Sequence, residues 1–191
     1  MVKKFKIFKK FNIPNEFKKS IILIGNFDGL HSGHQKLFEL AKKYKTKYKS
    51  KVGVVTFDPI PKMFFNTKIK NYRISNFSQK VVYLKKFDVD FVINKKFDKN
   101  FSKITYFKFI KDILSEKLRS KFIFVSNNFR FGHKREGNVA LLKKYENDFD
   151  YNLINPTPLM KNKKIISSTI IRKLLEEGKL SKANTFLKRN W

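Results

Sequence analysis

Two of the chain's three histidines stand in one ten-residue stretch, Gly25-Asn26-Phe27-Asp28-Gly29-Leu30-His31-Ser32-Gly33-His34. Spaced three apart, they share one face if they lie on the first turn of a helix. An apolar run, residues 21–24, precedes the stretch and a helical pattern follows it. The histidines thus fall where a strand hands over to a helix N-terminus, a place whose free N–H groups and dipole favour phosphate. Gly29 and Gly33 are read as letting the backbone approach that phosphate closely. A second cluster, Ser167-Ser168-Thr169-Ile170-Ile171-Arg172, opens another helix. Its hydroxyls can cap free N–H groups or donate to phosphate, and Arg172 offers a planar fork one turn on. Two helix starts, two imidazoles and one guanidinium suit the charge that builds on a polyphosphate during in-line displacement. No nucleophile with a base and a third orienting residue is visible, so a covalent intermediate is not expected.

These motifs need a frame. Strand-like runs at 21–26, 51–57, 89–93, 121–125 and 151–154 alternate with helical patterns at 33–48, 76–86, 103–118 and 139–145. Two further helices are expected at 169–177 and 181–187, split by Gly178 as a C′ residue. The pattern predicts an α/β fold, a Rossmann-like doubly wound parallel sheet of about five strands covered on both faces. In such sheets ligands lie beyond the carboxyl ends of the strands, near the switch in strand order. Almost every motif here follows a strand, which argues for a single site. A short apolar stretch at 5–8 is a further possible strand with no assignable partner.

At 191 residues the chain reads as a single domain, 1–191. It has no cysteine, which suits a reducing cytoplasm, and its apolar runs fall far short of the roughly 20 residues of a membrane span. Residues 1–5 are basic without an apolar core, unlike a secretory signal. The formal charge of +29 comes from lysines scattered along the whole chain. It is read as steering anionic substrates and causing non-specific nucleic-acid sticking, not as a dedicated nucleic-acid face. Monomer is the default expectation.

The stretch 25–34 resembles the HxGH nucleotidyltransferase superfamily, and 167–172 is similar to its second signature. Together with Thr56-Phe57-Asp58-Pro59-Ile60-Pro61 and Asn128-Phe129-Arg130-Phe131-Gly132, they resemble the adenylyltransferase module of bacterial FAD synthetase. The likeness runs from about residue 20 to the end and includes Lys80 and Phe97-Asp98. It implies transfer of AMP from ATP to FMN, giving FAD and pyrophosphate, with Mg²⁺ arriving on ATP and no protein metal cage. By that resemblance His31 and His34 contact the phosphates and, with Arg172, are catalytic. Ser168, Thr169 and Arg172 hold the leaving group, and the backbone of Gly25, Asn26, Phe27 and Asp28 borders the adenosine. Pro59 and Pro61, with Phe64 or Phe65, wall the flavin ring, and Asn128 lies between both substrates. Ser126 replaces the family's usual glycine. The riboflavin kinase module that often follows has no counterpart in these residues, so no kinase activity is expected of them.

Competing readings remain at this stage: another HxGH adenylyltransferase, acting on nicotinate mononucleotide or phosphopantetheine, a basic nucleic-acid-binding protein on a dead nucleotide fold, or a non-catalytic flavin carrier. Asp28 is read as a loop cap or a ribose contact, Asp58 as a weak metal candidate and His133 as a surface residue. Of Phe129 and Phe131, at least one is expected in the core.

Overall fold

The computed structural model describes residues 5–69, 72–161 and 164–191, so the basic residues 1–4 lie outside it. Among the described residues, strands β1 (Lys6–Phe8), β2 (Ile21–Ile24), β3 (Val52–Asp58), β4 (Phe91–Lys96), β5 (Phe122–Phe124) and β8 (Asn152–Ile154) form one sheet. Its order is β1-β4-β3-β2-β5-β8, and every pairing is parallel. Sheet class and strand positions follow the expectation, but the sheet has six strands rather than about five. The added strand is the short stretch without a partner, which pairs Lys6–Phe8 with Phe91–Ile93 at the edge. Three residues carry too little pattern to name a distant partner.

Alternation along the strands explains why the sheet is covered twice. Ile21, Leu23, Val54, Val92 and Phe124 pack with Leu37, Phe38 and Ala41 of helix α1 (Ser32–Tyr48) and Leu84 of α3 (Phe77–Lys86). Ile22, Ile24, Val55, Ile93 and Ile123 point the other way. There they meet Ile110 and Leu114 of the helix after β4, and Leu142 of α5 (Val139–Lys144). Both faces being apolar gives the β2 run Ile-Ile-Leu-Ile, as buried parallel strands require. The single helix expected at 103–118 is instead a short α4 (Tyr106–Lys108) continued by a π-helical stretch, Phe109–Lys117. Between α4 and α5 lies the hairpin of β6 (Arg130–Phe131) and β7 (Gly137–Asn138), and a second hairpin joins β9 (Met160–Lys161) to β10 (Lys164–Ile165). The sequence pattern marked neither, because two-residue strands show no period.

The chain runs outward from β2 to β3 and β4, then returns to place β5 on the other side of β2. The switch in direction therefore lies between β2 and β5, where a ligand crevice forms in this class of sheet. Helices α6 (Ser168–Glu176) and α7 (Leu180–Leu187) close over that edge through Ile74, Ile171, Ala183 and Leu187. Gly178 between them has φ +68°, the left-handed turn expected of it. Short helix α2 (Pro61–Phe65) follows β3, with Pro61 at its first position. No helix among the described residues is long and apolar enough to cross a membrane.

Candidate active site

A cavity of about 780 Å³ opens at the C-terminal edge of the sheet. The residues that follow four strands reach it: Gly25 after β2, Phe97 after β4, Val125 after β5 and Pro156 after β8. Its two ends differ in chemistry. One is polar, built from His31, Gly33, His34, Ser167, Ser168, Thr169 and Arg172. The other is aromatic, with Phe57, Phe65, Phe97, Phe101, Phe129 and Phe131.

At the polar end His31 is the N-cap of α1, and its Nδ1 accepts the His34 backbone N–H at 3.4 Å. That bond leaves the neutral ring's proton on Nε2, so the imidazole carries a donor. The rings of His31 and His34 stack with centroids 3.7 Å apart. The pairing is thus made by the helix cap rather than by two residues within the helix, as the spacing had implied. Gly33 makes room for it, since a Cβ there would lie 3.2 Å from the His31 ring and 3.3 Å from the Ile166 carbonyl. Burial pushes the His31 pKa down to about 4, against the raising effect of Asp28. Burial also holds His34 well below the usual histidine range, helped by repulsion from His31 whenever that ring is protonated and from the Lys80 charge, and its Nδ1 has no partner among the described residues. At neutral pH both rings are neutral N–H donors rather than cations.

Asp28 organises the same end. Its carboxylate, 2 % exposed, accepts the N–H groups of Ile74 at 3.0 Å and Ser75 at 3.2 Å, and pairs with Arg172 at 2.8 Å. The carboxylate does not cap its own loop; it ties three chain segments together. Ser168 donates its hydroxyl to the Asp28 carbonyl at 2.9 Å, and Ser167 is the cap of α6. Arg172 gives Nε to the Tyr72 carbonyl at 2.7 Å and stacks over the Tyr72 ring at 3.7 Å. Of its five N–H donors, two are engaged by Tyr72 and Asp28 among the described residues. Gly29 serves this frame as well: its φ is +76°, and a Cβ would meet Ile74 at 2.9 Å.

Comparison with known proteins fits this arrangement. The FAD synthetase family matches residues 13–170. The chain belongs to that family. It is 41 % identical over 178 residues to the bifunctional riboflavin kinase/FMN adenylyltransferase of Buchnera aphidicola from Acyrthosiphon pisum, covering 93 % of this chain and 57 % of that protein. With the protein of the same description from Escherichia coli K12 it shares 34 % over 167 residues, 87 % of this chain and 53 % of the relative. The chain thus spans about half the length of these curated relatives. A crystal structure described as a macrolide-efflux protein from Streptococcus pneumoniae aligns with TM-score 0.80 at 28 % identity, over 91 % of this chain and 65 % of that one.

Within the FAD synthetase domain the remaining expected residues divide. Gly25, Asn26, Phe27, Asp28, Asn128, Thr169, Pro61 and Phe65 border the cavity, whereas Pro59 and Phe64 are not among its lining. The Phe64 ring packs on Phe97 at 5.2 Å and on Phe65 at 5.1 Å, so it supports the wall from behind. Phe129 and Phe131 stack 5.4 Å apart; Phe131 is buried, Phe129 half-buried, and both face the cavity. His133 sits half-buried in the loop after them, its Nδ1 3.2 Å from the Ser102 carbonyl. Ser126 gives its hydroxyl to Asn128 Oδ1 at 2.9 Å, so the departure from glycine orients the amide. Asp58 is held by Arg73, and no group of three or more His, Asp or Glu that could bind a metal occurs among the described residues. Sequence reasoning missed Phe101, Tyr72 and the segment Pro156–Thr157–Pro158–Leu159, all on the cavity wall. Only their place after strands or beside the proline loop hinted at them.

Proposed function

We propose that this domain transfers AMP from ATP to FMN, releasing pyrophosphate and forming FAD. The observation that carries the reading is one cavity with two stacked neutral imidazoles and two helix starts at one end and a wall of phenylalanines at the other. A triphosphate suits the first end, and a flat apolar ring system suits the second. An oxygen of the FMN phosphate attacks the α-phosphorus of ATP, and the bond to the bridging oxygen breaks as pyrophosphate leaves. No protein atom becomes covalently bound.

In this reading the ring N–H donors of His31 and His34 stabilise the charge on the α-phosphoryl oxygens, and Ser168, Thr169 and Arg172 hold the leaving β,γ end. Gly25, Asn26, Phe27 and Asp28 border adenosine through their backbone, and Asn128 stands between the substrates. Pro61 and Phe65 face the flavin, with Phe97 and Phe101, while Pro59 and Phe64 stiffen the wall. Magnesium arrives with ATP and keeps most of its waters, since the carboxylates Asp28 and Asp58 are engaged by arginines. A reducing cytoplasm suits a chain with no cysteine.

The test is incubation with MgATP and FMN, following FAD and pyrophosphate together. Wild type forms both in equal amounts, and the paired change His31→Ala/His34→Ala keeps the fold but loses activity by on the order of 10²–10³ or more. No FAD from wild type, with turnover of nicotinate mononucleotide or phosphopantetheine instead, refutes the choice of acceptor. Activity of the double variant within about threefold of wild type removes the imidazoles from the chemistry.

A further inference from the structure

One buried cation stands outside the machinery described so far. Helix α3 presents an apolar stripe to the sheet through Phe77, Val81 and Leu84, and Lys80 falls on that same stripe. Its side chain is only 6 % exposed. The ammonium donates to the Asn26 carbonyl at 2.7 Å and to Thr56 Oγ1 at 3.2 Å, and that hydroxyl also donates to the Asn26 carbonyl at 3.2 Å. Among the described residues it is held by these oxygens and by no carboxylate in ion-pairing reach. An ordinary fold would fill the position with an apolar side chain, because a buried ammonium without a paired anion is costly. A local rule broken at one position beside a candidate site points to function.

Its location says which function. The Asn26 carbonyl lies just after β2, at the start of the turn that delivers His31 and His34, and Thr56 lies near the end of β3. Lys80 therefore braces the ends of the two central strands beneath the histidine turn without lining the cavity. We propose that Lys80 is a positioning residue for adenylyl transfer: its buried ammonium ties the Asn26 turn to the end of β3 and so sets the position of the histidine turn. This rests on the adenylyl-transfer reading for its consequence, but not for its geometry.

The electrostatics agree. Lys80 and His31 both hold the His34 pKa down, after burial itself. Around Lys80 the charged groups are Asp28 and Asp58, which favour its cation, and Arg73, which opposes it; around His31 they are Asp28, Arg172 and Arg189. Burial dominates and brings the Lys80 pKa down to about 8.

Histidine-selective NMR on the ¹⁵N-labelled protein, titrated from pH 6 to 9.5, reads the coupling without any turnover. In wild type the His34 ring signal moves in a step near pH 8 as Lys80 loses its proton, and FAD formation falls through the same pH. In Lys80→Gln, which keeps a donor for the Asn26 carbonyl but not the charge, that step is absent, and kcat is at least tenfold lower with the KM for ATP nearly unchanged. Lys86→Met, an exposed lysine on the same helix, behaves as wild type in both readouts. A His34 signal that shows no step in wild type overturns the proposal, even if Lys80→Gln fails to fold. So does kcat of a folded Lys80→Gln within threefold of wild type. If wild type makes no FAD while the NMR step appears, the choice of reaction falls and the Lys80–His34 coupling stands.

Discussion

Lowering the pH from 7 to 4 destabilises the fold through His31. Folding buries the ring and depresses its pKa from the ordinary 6.5 to about 4. Between these values the unfolded chain takes up a proton that the folded chain refuses, so acid favours unfolding. The stability tied to the neutral ring is whole above pH 6.5 and drains away as pH falls to about 4. The full difference is worth about 3 kcal/mol. Protonation also removes the acceptor for the His34 N–H, uncapping α1. His34 adds to the effect in the same direction, since its pKa is depressed as well. To isolate His31, we compare wild type with His31→Asn, which keeps a capping acceptor but cannot titrate. Urea unfolding at pH 7.5, 6.5, 5.5 and 4.5, with carboxylate effects common to both proteins, gives the difference directly. The wild-type stability falls faster than the variant's by about 1 kcal/mol per pH step below 6.5. Parallel curves refute the claim that the fold holds His31 neutral.

Other perturbations report on the frame and the cavity. Gly53→Ala places a Cβ within 2.1 Å of the fully buried Phe91 ring, and the clash costs about 3 kcal/mol, seen as a lower thermal midpoint with activity per folded molecule unchanged. Asp28→Ala strips the acceptor from Ile74, Ser75 and Arg172 together; chemical denaturation records a loss of about 3–5 kcal/mol, and FAD formation drops with it. An unchanged midpoint would remove Asp28 from its place as the tie between these segments. Ser126→Gly frees the Asn128 amide from its hydroxyl partner, so the KM for one of the two substrates rises about fivefold while stability stays within about 0.5 kcal/mol.

Much of the candidate site could be read from residues in order. The 25–34 stretch and the 167–172 cluster pointed to one site, and the fold brings both to one cavity; the alternation of β-prone runs with helical ones named a parallel sheet. Both signals are local: a strand-to-helix junction, a cap and a period of 2 or 3.6 depend on near neighbours in the chain. The other five strands of the sheet were legible for that reason. The edge strand Lys6–Phe8 was not, because its partner Phe91–Ile93 lies more than 80 residues away and only pairing distinguishes it from a loop.

What the tertiary structure alone decided concerns partners distant in sequence. The sequence left Asp28 between a loop cap and a ribose contact; the fold brings Ile74, Ser75 and Arg172 to it from 46 to 144 residues away and makes it a tie. Gly29 was legible as a glycine with a purpose, but part of that purpose came from Ile74, packed against it from 45 residues away. The histidines announced phosphate chemistry by type and spacing, yet their neutrality comes from burial, which no stretch of residues contains. Sequence sets what each side chain can donate or accept, and only the closed fold sets the dielectric and the neighbours that choose between those states.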